Sequence, residues 1–413
     1  ANNNNKDKCN VPHLRFPEFS EEWEICKVSE LLDFYSTNSL SWEQLEYGTK
    51  AIMNLHYGLI HVGLPTMVDL TRDNLPNIKE DNMPKNFELC KEGDVAFADA
   101  SEDTNEVAKP IEFFDLAGKN IVCGLHTIHG RDNKNKTVIG FKGYAFSSSA
   151  FHNQIRRIAQ GTKIYSISTK NFSECFIGIP SKVEQTKIAT LLRLIDERIA
   201  TQNKIIEDLK KLKSAIIDYA INSLDTDFAK FGSLYETAGE GGTPTTSNAS
   251  FYDNGKIPFV KIDDLKQKYL TENKDFITEL GLQKSSAWLV PTRSILFSNG
   301  ATIGEITITT YPVCTKQGIL GIVPKSNIDV EFLYYFMSST YFKKAISRIV
   351  TEGTMKTAYL KDIANILCPI PTKEKQQGIA KMPSALNSKI DYEQSLLKLF
   401  IMQKQYLLRQ MFI

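Results

Sequence analysis

The stretches IPSKVEQTKIA (179–189) and IPTKEKQQGIA (370–380) are nearly the same eleven residues, placed once in the middle of the chain and once close to residue 413. Their separation is far longer than the roughly 20 to 50 residues of a solenoid repeat, so they indicate one duplicated module. Each stretch is followed by a long segment with helical periodicity. The chain is therefore predicted to contain two copies of a domain followed by a helix.

The two helical segments carry apolar residues at alternating spacings of four and three, which is the periodicity of a coiled coil. Each segment is about 40 residues long, or about 60 Å if fully helical. We expect them to pair antiparallel, with Lys213 facing Glu393, and we expect Pro383 to kink the second helix. The alternative is a core helix within each globular domain. The predicted seam comprises Ile195, Ile199, Ile206, Leu209, Ile216, Ile390, Leu397, Phe400 and Leu407.

The stretches that precede the helices have the pattern of mixed α/β domains. Short β-rich runs such as KIPFVKI and SILFSNG are interrupted by Gly, Pro and Asn, which favour turns. Antiparallel pairing of the helices would relate the two domains by a pseudo-two-fold axis. The predicted order is a disordered tail (1–11), globular domain 1 (12–180), helix 1 (181–223), globular domain 2 (224–371) and helix 2 (372–413).

Composition excludes few functions. The net charge of +1 neither requires nor excludes a nucleic-acid partner. The seven cysteines contain no C-x-x-C pair, which predicts reduced thiols in the cytoplasm without a zinc site or a disulfide framework. We find no run of about 18 apolar residues and no signal-peptide pattern, so we expect neither a membrane span nor secretion.

This organisation suits a protein that reads two separated features on one linear ligand. Double-stranded DNA is such a ligand, because half-sites spaced by whole helical turns lie on one face of the duplex. Two diverged domains would read different half-sites, which gives an asymmetric bipartite target. The paired helices would set the distance between them.

Several motifs give the chain a family resemblance. GEGGTPTTSNASFYDNGKIPFVKIDDL (239–265) and SNGATIGEITI (298–308) resemble the specificity subunits of type I restriction–modification systems. In the first half PHLRFPEFSEEWE, NLHYGLIH, ADASED and GLHTIHGR resemble first-half recognition domains of that family. The resemblance implies that domains 1 and 2 are target-recognition domains, each reading half of a split DNA site.

The same resemblance implies partners and places catalysis on them. The helices would bind two methyltransferase (M) subunits, and restriction/translocase (R) subunits would join the complex. S-adenosylmethionine, ATP and Mg²⁺ are then expected on the partners, with no cofactor in this chain. The chain itself carries no G-x-x-x-x-G-K-[ST] loop, no G-x-G-x-x-G loop and no Asn-Pro-Pro-Tyr-like stretch.

Two alternative functions remain open at this point. Asp263, Asp264 and Lys266 could suggest a stand-alone metal-dependent nuclease, but no further acidic partner has an obvious spacing, and a strand end running into a polar turn also explains them. His126 and His129 are three residues apart in a β-like stretch, which would not put both on one face, so no metal site is predicted there. The other alternative is a coiled-coil scaffold that binds proteins and never DNA.

Residues for DNA contact are predicted in loops flanked by glycine, where the backbone can approach the duplex. Arg and Lys suit guanine, and Asn and Gln suit adenine. The competing interpretation of each residue is a solvated loop position. The candidates are His56, Tyr57, Ser101, His126, Arg131, Arg156, Thr162 and Lys163 in domain 1, and Lys261, Ser298, Asn299, Thr302, Lys316, Gln317, Thr354 and Lys356 in domain 2.

The helices carry more apolar residues than a two-stranded seam can bury. Exposed apolar surface of this kind usually marks an interface, so we expect it to bind the methyltransferase partners. The alternative is packing against the recognition domains. The residues are Leu191, Leu194, Ile205, Leu212, Ile217, Leu396, Leu399 and Ile401.

Overall fold

The computed structural model of the protein describes residues 10–48, 52–300, 302–350 and 356–413. The chain divides into two compact units, of which unit 1 comprises residues 1–203 and 395–413 and unit 2 comprises residues 204–394. Most of the predicted disordered tail (1–11) lies outside the described residues.

Unit 1 is built mainly of short strands. Its described strands are β1 (Glu24–Lys27), β2 (Asp33–Tyr35), β3 (Leu45–Glu46), β4 (Met53–Leu55), β5 (Met67–Asp69), β6 (Asn77–Ile78), β7 (Val95–Ala98), β8 (Ala100–Ser101), β9 (Pro110–Asp115), β10 (Ile121–Cys123), β11 (Thr127–Arg131), β12 (Tyr165–Ser166) and β13 (Phe176–Ile179). Its helices are α1 (Val28–Leu31), α2 (Tyr57–His61), α3 (Lys142–Phe146), α4 (Ser149–Ile158) and α5 (Thr169–Ser173). The long helix α6 (Lys182–Asn222) begins in unit 1 and ends in unit 2.

The main sheet of unit 1 has the strand order β2-β11-β7-β9-β5, in which only the pair β5 and β9 is parallel. Its central strand β7 has the sequence VAFA and is buried at all four positions, as expected for a short apolar run in the middle of a sheet. Phe97 of this strand packs against Phe146 and Phe172 with ring centroids 4.9 and 4.5 Å away. A second sheet has the order β10-β4-β6-β3.

Unit 2 is also built mainly of short strands. Its described strands are β14 (Phe228–Lys230), β15 (Tyr235–Glu240), β16 (Ile257–Val260), β17 (Tyr269–Leu270), β18 (Asp275–Ile277), β19 (Ile295–Ser298), β20 (Ile306–Thr309), β21 (Cys314–Thr315), β22 (Ile319–Pro324) and β23 (Leu367–Pro369). Its helices are α7 (Glu279–Gln283), α8 (Val330–Ser338), α9 (Thr340–Ile349) and α10 (Leu360–Ile363). The second long helix, α11 (Lys373–Gln410), begins in unit 2 and ends in unit 1.

The two units share one topology. The main sheet of unit 2 has the order β15-β22-β19-β20-β17. As in unit 1, the only parallel pair of this sheet, β20 and β17, lies at one edge. In the smaller sheets, β4 is parallel to β10 and antiparallel to β6, just as β16 is parallel to β21 and antiparallel to β18. The duplication that the repeated motif predicts therefore extends through both domains, and the mixed α/β class is confirmed.

The two long helices pack together and run antiparallel. In unit 1, Lys404 of α11 forms an ion pair with Asp196 of α6 over 2.6 Å. In unit 2, Lys213 of α6 donates a hydrogen bond to Asn387 of α11 over 2.9 Å. A higher number on α6 thus matches a lower number on α11, which is the antiparallel arrangement that the sequence predicts.

The predicted register between the helices is wrong. Lys213 meets Asn387 rather than Glu393, which lies about 9 Å further along α11 at 1.5 Å per residue. Glu393 forms an ion pair with Lys389, one turn earlier on its own helix. The heptad pattern fixes which face of a helix is buried, but it does not fix the offset between two helices, and an amide oxygen can also accept a hydrogen bond from a lysine.

The predicted seam residues are all removed from solvent to some degree. Ile195, Ile206, Ile390 and Leu407 are buried, and Ile199, Leu209, Ile216, Leu397 and Phe400 are half-buried.

Pro383 lies inside α11 and does not end this helix, which continues to Gln410. In the part of the chain that the structure describes, no helix is both long enough and apolar enough to span a bilayer.

Candidate nucleic-acid interface

Several strand ends meet at one point in unit 2. Strands β16 and β21 are parallel, so both end at the same edge of their sheet. There the backbone N–H of Lys316 donates to the carbonyl of Val260 over 2.9 Å. Asn299, which follows β19, donates its N–H to Gly318 over 3.0 Å and accepts from the N–H of Ala358 over 2.9 Å. The loops after β16, β19 and β21 and the segment before α10 are thereby joined.

Five predicted DNA contacts are exposed in these joined loops, and we call them the unit 2 strand-end surface. The backbone of Gln317 is held by a hydrogen bond to Thr243 Oγ1 over 3.2 Å, while its side chain is exposed. Three of the five are lysines, which suit phosphate or guanine. The surface comprises Lys261, Thr302, Lys316, Gln317 and Lys356. Thr354, also predicted, lies outside the described residues.

Ser298 and Asn299 do not belong to this surface, and their predicted contact with DNA is corrected. Both side chains are buried. Ser298 Oγ accepts the N–H of Glu305 over 2.9 Å, and Asn299 Nδ2 donates to the carbonyl of Ala358 over 3.2 Å. A base edge cannot reach side chains that are shielded in this way, so these two residues hold the loops that carry the others.

Unit 1 contains the same backbone arrangement. Gly124 donates to the carbonyl of Leu55 over 2.9 Å, as Lys316 does to Val260. Asp99 follows β7, donates its N–H to His126 over 3.1 Å and accepts from Ile167 over 2.9 Å, so it holds the position that Asn299 holds in unit 2.

His126 has the left-handed conformation that its counterpart Gly318 also has, with φ of +55° and +88° respectively. This conformation is uncommon for a residue other than glycine, and histidine is among the residues that adopt it most readily. The side chain of His126 is exposed, and its Nδ1 lies 3.0 Å from Asp99 Oδ1. The rings of His126 and Tyr57 are nearly perpendicular, and their centroids are 5.2 Å apart.

Three of the predicted contacts surround one cleft of about 620 Å³, and we call this region the unit 1 strand-end surface. Tyr57, Ser101 and His126 line it together with Glu102 and Asp103. The carboxylates would repel phosphate, but they can accept from the amino group of cytosine. This surface therefore differs in charge from the unit 2 strand-end surface. Three further candidates, Arg156, Thr162 and Lys163, are exposed in the same unit.

His56 is buried, and its predicted DNA contact is wrong. Its Nδ1 accepts the N–H of Gly58 over 3.1 Å and caps helix α2. Its ring lies between Trp42 and Tyr57, with centroids 4.5 and 4.7 Å away. Burial, assisted by the neighbouring imidazole of His126, lowers the pKa of His56.

Arg131 is also buried, and the same correction applies. Its Nε and Nη2 donate to the two oxygens of Asp94 over 2.9 and 2.8 Å, and its Nη1 donates to Glu88 over 2.6 Å. Burial opposes ionisation of Asp94, but the hydrogen bonds from His129 and Arg131 outweigh it and lower the pKa of this carboxyl group. Arg131 thus neutralises an internal carboxylate and is not available to a base.

Sequence reasoning missed Asp99. Asp99 lies in the motif ADASED and follows β7 as Asn299 follows β19, but the residues predicted from the sequence include Ser101 and not Asp99. Asp99 contacts the exposed His126 and is itself partly accessible, so it belongs to the unit 1 strand-end surface.

Asp263 and Asp264, the carboxylates that suggested a nuclease, stabilise a turn after β16. Asp264 Oδ2 accepts the backbone N–H of Lys261 over 2.9 Å, and Asp263 forms an ion pair with Lys266 over 2.9 Å. Both contacts favour the interpretation as a strand end running into a polar turn.

The apolar residues outside the seam fall into three groups by exposure. Leu194, Ile205, Leu212, Leu399 and Ile401 are exposed, and we call these five the helix surface. Leu191 and Leu396 are half-buried. Ile217 is buried in the core of unit 2, so for this residue the alternative of packing against the domain is correct.

Comparisons with known proteins agree with this architecture. Residues 225–399 match the family model described as the type I restriction modification DNA specificity domain. The chain is 23% identical over 403 residues to the putative type I restriction enzyme MjaX specificity subunit of Methanocaldococcus jannaschii, with 92% of this chain and 91% of that protein covered.

Two solved structures share the fold. The type I restriction–modification S subunit from M. genitalium is 18% identical, with a TM-score of 0.54 and coverage of 98% of this chain and 99% of that one. A chain from a structural study of complex assembly and conformational transition of the type I R-M system is 15% identical, with a TM-score of 0.61 and coverage of 96% and 98%. The fold is thus that of a duplicated specificity subunit. Residues 225–399 match the type I restriction modification DNA specificity domain, and the chain as a whole is similar to type I specificity subunits, as its motifs predict.

Proposed function

We propose that this chain is the DNA-recognition subunit of a type I restriction–modification enzyme and that units 1 and 2 each read one part of a bipartite, asymmetric target. One observation carries the proposal. Both units use the same backbone junction, at Asp99 and at Asn299, to gather loops, yet they display different side chains around it. A common scaffold with different chemistry is what two unlike half-sites require.

The chemistry of each surface supports different readout. In unit 2, lysines and the amide of Gln317 offer donors for phosphate, guanine and adenine. In unit 1, His126 and neighbouring carboxylates offer acceptors in a cleft, with Tyr57 as an apolar wall. The two half-sites should accordingly differ in base composition.

Partners complete the proposed enzyme. The helix surface presents apolar side chains to two methyltransferase subunits, since apolar surface of this kind marks interfaces. Restriction/translocase subunits join that complex. S-adenosylmethionine, ATP and Mg²⁺ are bound by these partners, and this chain performs no catalysis itself.

The test is methylome sequencing of cells that carry the methyltransferase gene with and without this chain. We expect methylation at one motif made of two unlike half-sites separated by a gap of unspecified bases. Loss of the chain should abolish all of that methylation. An unchanged methylome would refute the proposal.

A second assay separates the alternatives. The complex of this chain with its methyltransferase should retain motif-containing DNA in a gel shift at salt concentrations that release random DNA. Equal retention, or none, would favour the protein-binding scaffold. Cleavage of DNA by this chain with Mg²⁺ and no partner would favour the nuclease.

A further inference from the structure

Three side chains that bind soft metal ions meet inside unit 1. They are Cys90, Cys123 and His129, and their ligand atoms all lie within 4.8 Å of one another. The two Sγ atoms are 3.6 Å apart. All three side chains are buried, and both cysteines are free thiols.

Strand pairing brings these residues together from distant parts of the sequence. Leu89 and Val122 form an antiparallel bridge, and the N–H of Cys90 donates to the carbonyl of Ile121 over 2.8 Å. Cys123 ends β10, and His129 lies within β11, where it pairs with Ala96 of β7. The loop between Cys123 and His129 carries His126 of the unit 1 strand-end surface.

The hydrogen bonds of His129 leave one ring nitrogen ready to bind a metal ion. Its Nε2 lies 2.8 Å from Asp94 Oδ2, and Asp94 is held in turn by Arg131. Its Nδ1 is buried and has no hydrogen-bond partner in the described structure. A neutral imidazole that donates Nε2–H to a carboxylate presents a lone pair at Nδ1, which is the usual arrangement of a metal-bound histidine.

We propose that Cys90 Sγ, Cys123 Sγ and His129 Nδ1 bind one Zn²⁺ ion. Two sulfurs about 2.3 Å from a tetrahedral zinc lie about 3.8 Å apart, close to the 3.6 Å observed. Two thiolates, a neutral histidine and a divalent cation sum to zero charge, which suits a buried site, whereas a monovalent soft cation would leave a net negative charge. The fourth tetrahedral position is left for a water molecule.

A hydrogen bond between the two thiols is the simpler interpretation of the 3.6 Å contact. It explains the cysteines but leaves His129 Nδ1 buried without a partner, which costs free energy. The zinc ion accounts for all three groups at once.

Unit 2 shows that the shared fold does not need these residues. Val290 pairs with Val313 as Cys90 does with Ile121, which makes Val290 the counterpart of Cys90. The same pairing makes Thr315 the counterpart of Cys123, and Gly321, which pairs with Leu296, the counterpart of His129. None of Val290, Thr315 and Gly321 is a soft-metal ligand, so the cluster serves unit 1 alone. There the ion clamps both ends of the loop that carries His126.

The first experiment measures metal in the full chain, purified under reducing conditions without chelator. Elemental mass spectrometry should find about one zinc ion per chain. When Co²⁺ replaces zinc, we expect absorption from thiolate-to-metal charge transfer. Cys90→Ser and Cys123→Ser should each lose the metal and the absorption. Cys26→Ser is the matched control, since Cys26 is also buried in unit 1, and it should keep both.

A second variant distinguishes the loss of a metal ligand from misfolding of the chain. Cys90→Val installs the residue found at the counterpart position of unit 2 and should give a folded chain, by circular dichroism, without metal. The proposal is overturned if the reduced wild-type chain neither contains zinc nor binds added Zn²⁺ or Co²⁺. It is equally overturned if mass spectrometry finds Cys90 and Cys123 joined as a disulfide in the protein isolated from cells, or if Cys90→Val retains the metal.

Discussion

Lys213 and Asn387 join the two long helices inside unit 2, because Lys213 Nζ donates a hydrogen bond to Asn387 Oδ1 over 2.9 Å. Lys213 is half-buried, and burial lowers the pKa of its ammonium group. A charged group in that position opposes folding unless its partner remains.

The two members of this pair should therefore respond differently to substitution. Lys213→Met removes the buried charge and should change the free energy of unfolding by less than about 1 kcal/mol, or increase it. Asn387→Leu leaves the ammonium without its acceptor and should cost about 1–3 kcal/mol. Denaturant unfolding followed by circular dichroism measures both. A larger loss for Lys213→Met than for Asn387→Leu would contradict this account.

Gln317 is expected to read a base in the half-site recognised by unit 2. Gln317→Ala should lose about 1–3 kcal/mol of discrimination at one base pair and leave the other half-site unaffected. Binding by the assembled complex to a library of target variants measures this effect. The control is Lys325→Ala, because Lys325 is exposed beyond the opposite end of β22. Uniform weakening on every sequence would reassign Gln317 to the phosphate backbone.

His56 should make unit 1 less stable in mild acid. The pKa of the buried imidazole lies below its ordinary value of 6.5, so between these two values the unfolded chain binds a proton that the folded chain does not. Stability then falls as the pH decreases below about 6.5, by at most about 1.4 kcal/mol per pH unit. His56→Asn keeps a capping side chain but cannot titrate, so it should flatten this dependence.

Thermal unfolding at a series of pH values tests the role of His56. The control is His13→Asn, the same substitution at an exposed histidine. A profile of His56→Asn as steep as that of the wild-type protein would rule out His56 as its source.

The helix surface is expected to bind the methyltransferase subunit. Glutamate in place of Ile205 and Leu212 together should weaken co-purification or the measured affinity by about tenfold or more, because two apolar contacts become buried charges. Lys210→Glu changes charge at an exposed site on the same helix without removing an apolar side chain, and it should have a small effect. Undiminished binding by the double variant would refute the partner role.

Much of the fold could be predicted because the repeat constrains it twice. The motif at 179–189 and its copy at 370–380 each end a domain and begin a helix, and the observed helices begin at Lys182 and Lys373. The spacing of apolar residues gave the buried faces of these helices. The offset between the two helices could not be predicted from the sequence, because it depends on individual contacts such as that of Lys213 with Asn387.

The sequence predicts loops flanked by glycine, but it does not predict which side chains in them are exposed. Loops flanked by glycine did meet at strand ends in both units. Residue type alone could not separate an exposed histidine such as His126 from the capping His56, nor a free arginine from Arg131, whose carboxylate partner lies 37 residues away. The cluster of Cys90, Cys123 and His129 was missed for the same reason. Its members come from three separate segments, β10, β11 and the segment before β7, and they show no short metal-ligand spacing in the sequence.

The core of unit 1 includes residues from two distant parts of the chain. Met411 and Phe412 pack in it, and the ring of Phe412 meets that of Trp23 at a centroid distance of 6.2 Å. During synthesis, the first 203 residues must wait for the whole of residues 204–394 before these partners emerge, a delay of roughly 10 to 40 s at ribosomal speeds. Until then the nascent chain exposes the apolar side of an unfinished core. We therefore expect the nascent chain to expose aggregation-prone apolar surface for longer than a domain of this size usually does.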